Sequence, residues 1–315
     1  MADELTTRPA TSDDLPACER VWRYGLNDYL LRLGQLEVPE DNPGLRRLHA
    51  HTLATDPDRF RVATRGDSVV AFGSAVRRGP VWFLSMLFVD PDEQARGLGR
   101  RLLGELLDAG AGGQAEPAAI LATATDSAQP VSNGLYASLG IVPRMPLLNV
   151  IGRPREAWLP PDLPGGITAV RLTRDGGPSA DLPPGDEAEI RALDREVVGF
   201  EHPQDHAFAA SERPALFAYR DASGRLQGYG YTSEVGRIGP IAVRDPALFR
   251  PVLGHLLTTV VPRGASAVWL GGAAGPAIEL ALESGMRFED FPLLMCWSRP
   301  FADFGRYVPI SPGLI

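Results

Sequence analysis

The stretch Val89-Asp90-Pro91-Asp92-Glu93-Gln94-Ala95-Arg96-Gly97-Leu98-Gly99-Arg100-Arg101-Leu102-Leu103 decides the reading of this 315-residue chain. Immediately before it, Val81 to Val89 is almost wholly apolar, as in a central strand covered on both faces, and Asp90-Pro91 ends that strand. Immediately after it, Leu98, Leu102, Leu103, Leu106 and Leu107 recur at helical spacing, and the helix closes in glycines near Gly110. A strand, a short loop and a helix therefore meet at a QxxGxG sequence. Gly97 and Gly99 let a ligand approach the backbone closely. The free N–H groups of the helix's first turn, at the positive end of its dipole, suit a pyrophosphate, and Arg96, Arg100 and Arg101 add charge. The plain alternative is a glycine-rich turn capping an ordinary helix. A dinucleotide fingerprint needs GxGxxG in a regular βαβ unit, and neither is present.

Working outward, a short strand near Thr7 leads to Thr11-Ser12-Asp13-Asp14, which has capping-box spacing. Leu15, Val21, Trp22, Leu26, Tyr29, Leu30 and Leu33 then share one helical face. Phe60 to Thr64, a turn at Arg65-Gly66-Asp67 and Ser68 to Val76 read as a hairpin. Beyond the decisive loop come a strand over Ala118–Ala122, a helix through Leu135-Tyr136 and a strand over Leu147–Ile151. The order is mixed α and β. Pro154, Pro160, Pro161 and Pro164 break the chain between Gly152 and Gly166, and Gly176 to Gly185 reads as a second loop. The second half repeats the plan: Leu216 to Tyr231 parallels the hairpin, Ile241-Ala242-Val243 parallels Leu87-Phe88-Val89, and Leu280 to Met286 parallels Leu135 to Ile141.

The first half resembles the GCN5-related N-acetyltransferase (GNAT) family. The likeness rests on the apolar strand ending in V-D-P, on Gln94 to Gly99, and on Asn133-Gly134-Leu135-Tyr136-Ala137-Ser138-Leu139-Gly140-Ile141, in the family's order over roughly residues 5–150. The resemblance implies an α/β chain with a mixed sheet, built as two tandem GNAT-like acyl-CoA N-acyltransferase domains. It implies acetyl-CoA as co-substrate and a small-molecule amine as acceptor, attacked directly. Leu87, Phe88 and Val89 would line the cofactor with backbone groups that hold the pantetheine arm and polarise the acetyl carbonyl. Gln94, Arg96, Gly97, Leu98, Gly99, Arg100 and Arg101 would hold the pyrophosphate. Asn133 would help hold the cofactor, and Tyr136 would act as general acid toward the departing thiolate. Many relatives carry a glutamate where this chain has Ser85. The base therefore stays open between water, Asp126, His49 and His51.

The second half has lost these residues. Counting 14 residues from Val89 to Leu103 and from Val243 to Leu257 sets Gln94 against Leu248, Gly97 against Pro251 and Gly99 against Leu253; Tyr136 falls on Ala281. The expected organisation is a catalytic domain over 1–152, a Pro/Gly-rich linker over 153–166, and a degenerate GNAT-like domain over 167–315 with a substrate-cleft or structural role. Segments near Gly199 to His202 and Phe301 to Tyr307 are candidates for one wall of the acceptor cleft. The competing reading is a CoA-binding regulatory pseudoenzyme without turnover, which the missing glutamate favours.

Composition narrows the classes. The chain has 31 basic and 39 acidic residues, all the basic ones arginine, for a net charge of −8. Such a surface repels phosphate backbones, so no nucleic-acid partner is expected. No apolar run approaches the roughly 20 residues that cross a bilayer. Two distant cysteines, Cys18 and Cys296, fit a reducing, cytoplasmic setting. His202 and His206 have the i, i+4 spacing of a metal pair, but Pro203 interrupts a helix there and no third ligand is evident, so no metal is expected. A homodimer is the default assembly, and nothing in the sequence decides it.

Overall fold

Asp14 fixes the start of the fold. In the computed structural model, which describes residues 4–108, 119–173, 182–212, 214–289 and 291–315, strand β1 (Leu5–Pro9) passes through a short turn into helix α1 (Leu15–Arg32). The Asp14 carboxylate accepts the Thr11 backbone N–H at 2.8 Å and two bonds of 2.7 Å from the Arg8 guanidinium. The capping box forms as predicted, with an arginine clamp added. Helix α2 (Pro43–Thr55) is capped by Asn42, whose side chain accepts the Leu45 N–H.

The predicted hairpin follows as β2 (Phe60–Arg65) and β3 (Ser68–Arg78), then β4 (Val81–Val89), giving the antiparallel order β1-β2-β3-β4. Helix α3 (Leu98–Asp108) comes next. Alternation along the strands sends Phe60, Val62 and Phe72 toward Cys18 and Val21 of α1, and Ala63 and Ala71 toward Leu98 and Leu102 of α3. Gly73 in β3 is required by this packing: a Cβ there would stand 2.6 Å from Leu106 Cδ1. A bulge leaves Ser85 unmatched, because Met86 pairs with Ser74 and Leu84 with Ala75. The glycines near Gly110 and the residue Ala118 lie outside the described residues.

One compact unit ends at Leu121 and the other begins at Ala122. The second unit takes most of β5 (Ile120–Asp126), then α4 (Pro130–Ala137), β6 (Val142–Gly152), β7 (Thr168–Arg171), α5 (Pro184–Val197) and α6 (Pro203–Ala210). It continues with β8 (Ala215–Arg220), β9 (Leu226–Thr232), β10 (Arg237–Val243), α7 (Phe249–Thr259), β11 (Ser266–Gly271) and α8 (Gly275–Ser284). Strands β12 (Arg287–Phe288), β13 (Leu293–Trp297) and β14 (Tyr307–Val308) end it. Its sheet order is β5-β13-β6-β11-β10-β9-β8-β7. The internal repeat is visible here: β8 and β9 form the second hairpin, β10 carries a bulge between Ile238 and Ile241, and a Cβ at Gly230 would meet Leu256 of α7 as one at Gly73 meets Leu106.

Two pairings cross the sequence repeat. β13 lies between β5 and β6, with Cys296 opposite both Thr123 and Pro143. β6 also pairs with β11 from Ser266↔Gly152 to Gly271↔Leu147. The strand predicted over Leu147–Ile151 therefore starts earlier, at Val142, because β13 gives its first half a partner. The Pro/Gly-rich stretch lies within the second unit and is tied down there, with Arg155 N–H bonded to the Ser284 carbonyl at 2.8 Å.

Candidate functional site

The loop from Gln94 to Gly97 is held open by backbone conformation. Gly97 has φ +76°, and Ala95 has φ +62°, which a residue with a Cβ rarely adopts. Such an outlier points to a functional constraint. A Cβ at Gly97 would meet nothing within 4 Å, so the space in front of it is clear, while Gly99 sits against Val89 Cγ2. The first α3 bond runs from Arg101 N–H to the Gly97 carbonyl, which leaves the N–H groups of Leu98, Gly99 and Arg100 ahead of the helix ladder. The turn thus offers a cluster of donors at a helix N-terminus, the arrangement that holds a phosphate. The Gln94 side chain ties this loop to the end of β4 by donating to the Val89 carbonyl at 3.2 Å.

The three arginines differ. Arg96 is paired with Glu93 at 2.8 Å, and Glu93 is gripped on its other side by two 2.8 Å bonds from Arg65, which hold its carboxyl below the usual range. Arg101 turns along α3 to Glu105 and Thr7. Arg100 is exposed and has no ion-pair partner among the described residues.

Leu87, Phe88 and Val89 pair with Gly73, Phe72 and Ala71 of β3. Successive residues of a strand direct their N–H and C=O groups to opposite edges, so this short run also offers backbone groups away from β3. Phe88 stacks on Phe72 at 5.8 Å on the α1 face. The Ser85 hydroxyl is buried without a hydrogen-bond partner among the described residues. His49 is fully buried between Phe60 and Phe72 at 5.8 and 5.2 Å, and burial lowers its pKa to about 4. It is a core residue, sealed from any acceptor. Sequence reasoning missed a pocket of about 340 Å³ lined by Arg23, Tyr24, Asn27, Glu37, Asp90, Pro91 and Asp92. Asp90 and Asp92 registered only as the end of a strand, and Glu37 stands in a segment with no periodic signal.

In the second unit, Asn133 spends both side-chain N–H groups on the carbonyls of Asp126 and Gln129, at 2.9 and 2.8 Å. It fastens α4 to the end of β5, and only its Oδ1 remains for another partner. Tyr136 is 5% exposed on α4. Burial, reinforced by the Cys296 thiol and only partly offset by a bond with Ser132, raises its pKa well above the usual value. It keeps its proton throughout the working range.

Residues 26–141 match the model of the acetyltransferase (GNAT) family. This stretch is a GNAT domain. It takes in β4, the Gln94–Gly99 loop and α4. A candidate acetyltransferase from Pyrococcus horikoshii has a similar structure, with a TM-score of 0.73 at 15% identity over 99% of this chain and 96% of that one. A GCN5-related N-acetyltransferase from Sphaerobacter thermophilus gives 0.63 at 18% over 96% and 98%. A tandem GNAT protein from the clavulanic acid biosynthesis pathway gives 0.55 at 15% over 94% and 99%. No curated protein sequence matches the chain. At these identities the structures establish a shared fold. No helix among the described residues is long and apolar enough to cross a membrane.

Seen as a second GNAT-like copy, the later half departs from the first in a way the 14-residue count misreads. Pro251 and Leu253 are buried inside α7 and do not stand in for Gly97 and Gly99. In the GNAT domain the turn at Pro91–Glu93 is followed by Gln94 to Gly97 before α3 begins; in the second copy the turn at Pro246–Leu248 runs straight into Phe249 of α7. The counterpart of Gln94 to Gly97 has been deleted rather than filled. The counterpart of Leu87-Phe88-Val89 is also occupied: Ile241 pairs with Val308, Ala242 with Tyr307, and Val243 N–H bonds the Arg306 carbonyl. Four residues of the candidate cleft-wall segments lie in the core of the second unit. Phe200, His202, Phe304 and Tyr307 are buried, with Phe200 against Phe301 and Trp297 stacked on Phe304 at 5.8 Å.

Proposed function

We propose that the chain is an acyl-CoA-dependent N-acetyltransferase acting on a small amine, with one acetyl-CoA held by the first copy. The observation that carries this reading is the Gln94–Gly99 turn, with its positive-φ backbone, open front and unspent helix N–H groups. Acetyl-CoA supplies the activated thioester. Leu98, Gly99 and Arg100 N–H groups hold its pyrophosphate, Arg100 adds charge, and Arg96 and Arg101 stiffen the loop through Glu93 and Glu105. Backbone groups of Leu87 to Val89 hold the pantetheine arm and stabilise the oxyanion that develops on attack. Tyr136 donates its hydroxyl proton toward the leaving sulfur, and Asn133 positions the helix that carries it.

Three carboxylates against one arginine, Arg23, line the pocket, and the excess of Glu37, Asp90 and Asp92 supports a cationic amine as acceptor. The second copy holds no CoA in this reading, which the missing loop and the pairing of β14 on β10 support. Titration calorimetry with acetyl-CoA should give one site per chain, and thiol release should appear on at least one member of an amine panel. Folded protein that binds no acetyl-CoA at hundreds of micromolar would overturn the reading. Ser85, standing where many relatives carry a glutamate, favours a second reading, a CoA-binding regulator; tight binding with no thiol release on any amine would establish it.

A further inference from the structure

Outside the GNAT domain, the second unit contains a closed cluster of metal-ligating groups. Asp194 comes from the last turn of α5, His202 precedes α6, and His206 lies within it. Pro203, which reads in the sequence as an interruption, stands at the first position of α6, where a missing N–H costs nothing. The two imidazoles therefore share one helix start, their rings 4.7 Å apart, and a ligand atom of each lies within 4.8 Å of an Asp194 oxygen.

We propose that Asp194, His202 and His206 bind one divalent zinc-class ion through the Asp194 carboxylate and the two Nε2 atoms. His202 is fully buried, and neither ring nitrogen has a hydrogen-bond partner among the described residues. Its Nε2 lies 3.6 Å from Asp194 Oδ1, too far for a hydrogen bond. Two donors on one tetrahedral ion at about 2.0–2.1 Å stand roughly 3.4 Å apart, so this spacing fits a shared ion. His206 Nε2 lies 2.9 Å from Asp194 Oδ2, and the two carboxylate oxygens thus face one imidazole each.

The outer groups are arranged as around a bound metal. His206 Nδ1 bonds the Tyr231 hydroxyl at 3.0 Å, Asp205 Oδ2 faces His202 Nδ1 at 3.7 Å, and the Tyr229 hydroxyl donates to Asp194 Oδ1 at 2.6 Å. The bond to Tyr231 orients the His206 ring and the Tyr229 hydroxyl anchors the Asp194 carboxylate, whereas Asp205 lies near His202 Nδ1 without bonding it. Two imidazoles and a carboxylate suit zinc better than the all-oxygen ions. Three protein ligands leave one tetrahedral position for a water, and the ion would pin α5 to the start of α6.

The test uses the full chain without an affinity tag, expressed in zinc-supplemented medium. Elemental analysis should find one zinc per chain, and zinc should return to the chelator-stripped protein in competition with a chromogenic chelator, raising its Tm. Cobalt substitution should give the strong visible bands of a tetrahedral site. His202→Asn and His206→Asn should each lose at least about 100-fold in zinc affinity, and the outer variant Tyr231→Phe about 10-fold with the fold intact. Folded wild-type protein that is free of zinc and shows no saturable uptake overturns the proposal. So does uptake that survives in the His202→Asn/His206→Asn double variant.

Discussion

The Gln94 side chain reaches back over the decisive loop and donates from Nε2 to the Val89 carbonyl oxygen, 3.2 Å away. This bond joins the end of β4 to the turn that precedes α3. Removing it by Gln94→Ala costs roughly 1 kcal/mol of loop order and leaves the core untouched. Acetyl-CoA affinity should fall about 5-fold with the Tm nearly unchanged. Calorimetry and a melting curve on the same sample check both halves.

Gly97 separates backbone strain from charge. Its φ of +76° makes Gly97→Ala strained by about 1–2 kcal/mol, although a methyl would touch nothing. Gly97→Ala should therefore bind acetyl-CoA more weakly and melt slightly lower. Gly97→Glu should abolish binding, because a carboxylate would stand in the proposed phosphate cradle. Equal binding by the two variants would mean that charge at this position is irrelevant.

Tyr136, the proposed general acid, would be a reluctant one, since burial raises its pKa well above that of a thiol. Its contribution is correspondingly moderate. Tyr136→Phe should lower kcat by about 10²-fold, at the low end for a positioned proton donor, with KM for acetyl-CoA within about twofold. Steady-state kinetics on the best amine from the panel decide it.

His49 makes the first unit acid-sensitive. Its pKa is lowered from 6.5 to about 4 by burial, so below pH 6.5 the unfolded chain binds the proton more readily than the folded one. Stability is complete above pH 6.5, declines as pH falls, and is lower by about 3 kcal/mol once pH passes 4. His49→Phe, surrounded by Phe60 and Phe72, removes both the titration and two unpartnered buried nitrogens. Urea melts at pH 7 and pH 4.5 should show a smaller pH dependence in the variant than in the wild type.

A chain ending at Arg155 should fail to fold as a stable unit. It would lose β13 from between β5 and β6, and β11 from the other side of β6, leaving apolar strands unpaired. Solubility, circular dichroism and proteolysis of the truncated chain test this. A protease-resistant monomer would show that β5 and β6 close on each other without help.

Sequence alone determined what depends on near neighbours. The Thr11–Asp14 capping box, the hairpin turn at Gly66, the apolar run of β4 and the glycine turn at Gln94–Gly99 each act within a few residues, and turn chemistry and periodicity report them directly. What only the tertiary structure decided depends on partners far apart in the chain. Nothing in Leu293–Trp297 says that it inserts between β5 and β6, because backbone hydrogen bonding accepts any strand of suitable length and alternation. The second copy's register could not be counted either. A fixed spacing hid the loss of Gln94–Gly97, since the helix starting at Phe249 is equally apolar in either alignment. Asp194 joins His202 and His206 only because α5 and α6 are packed together, and that contact comes from their burial, which no local pattern around a single aspartate records.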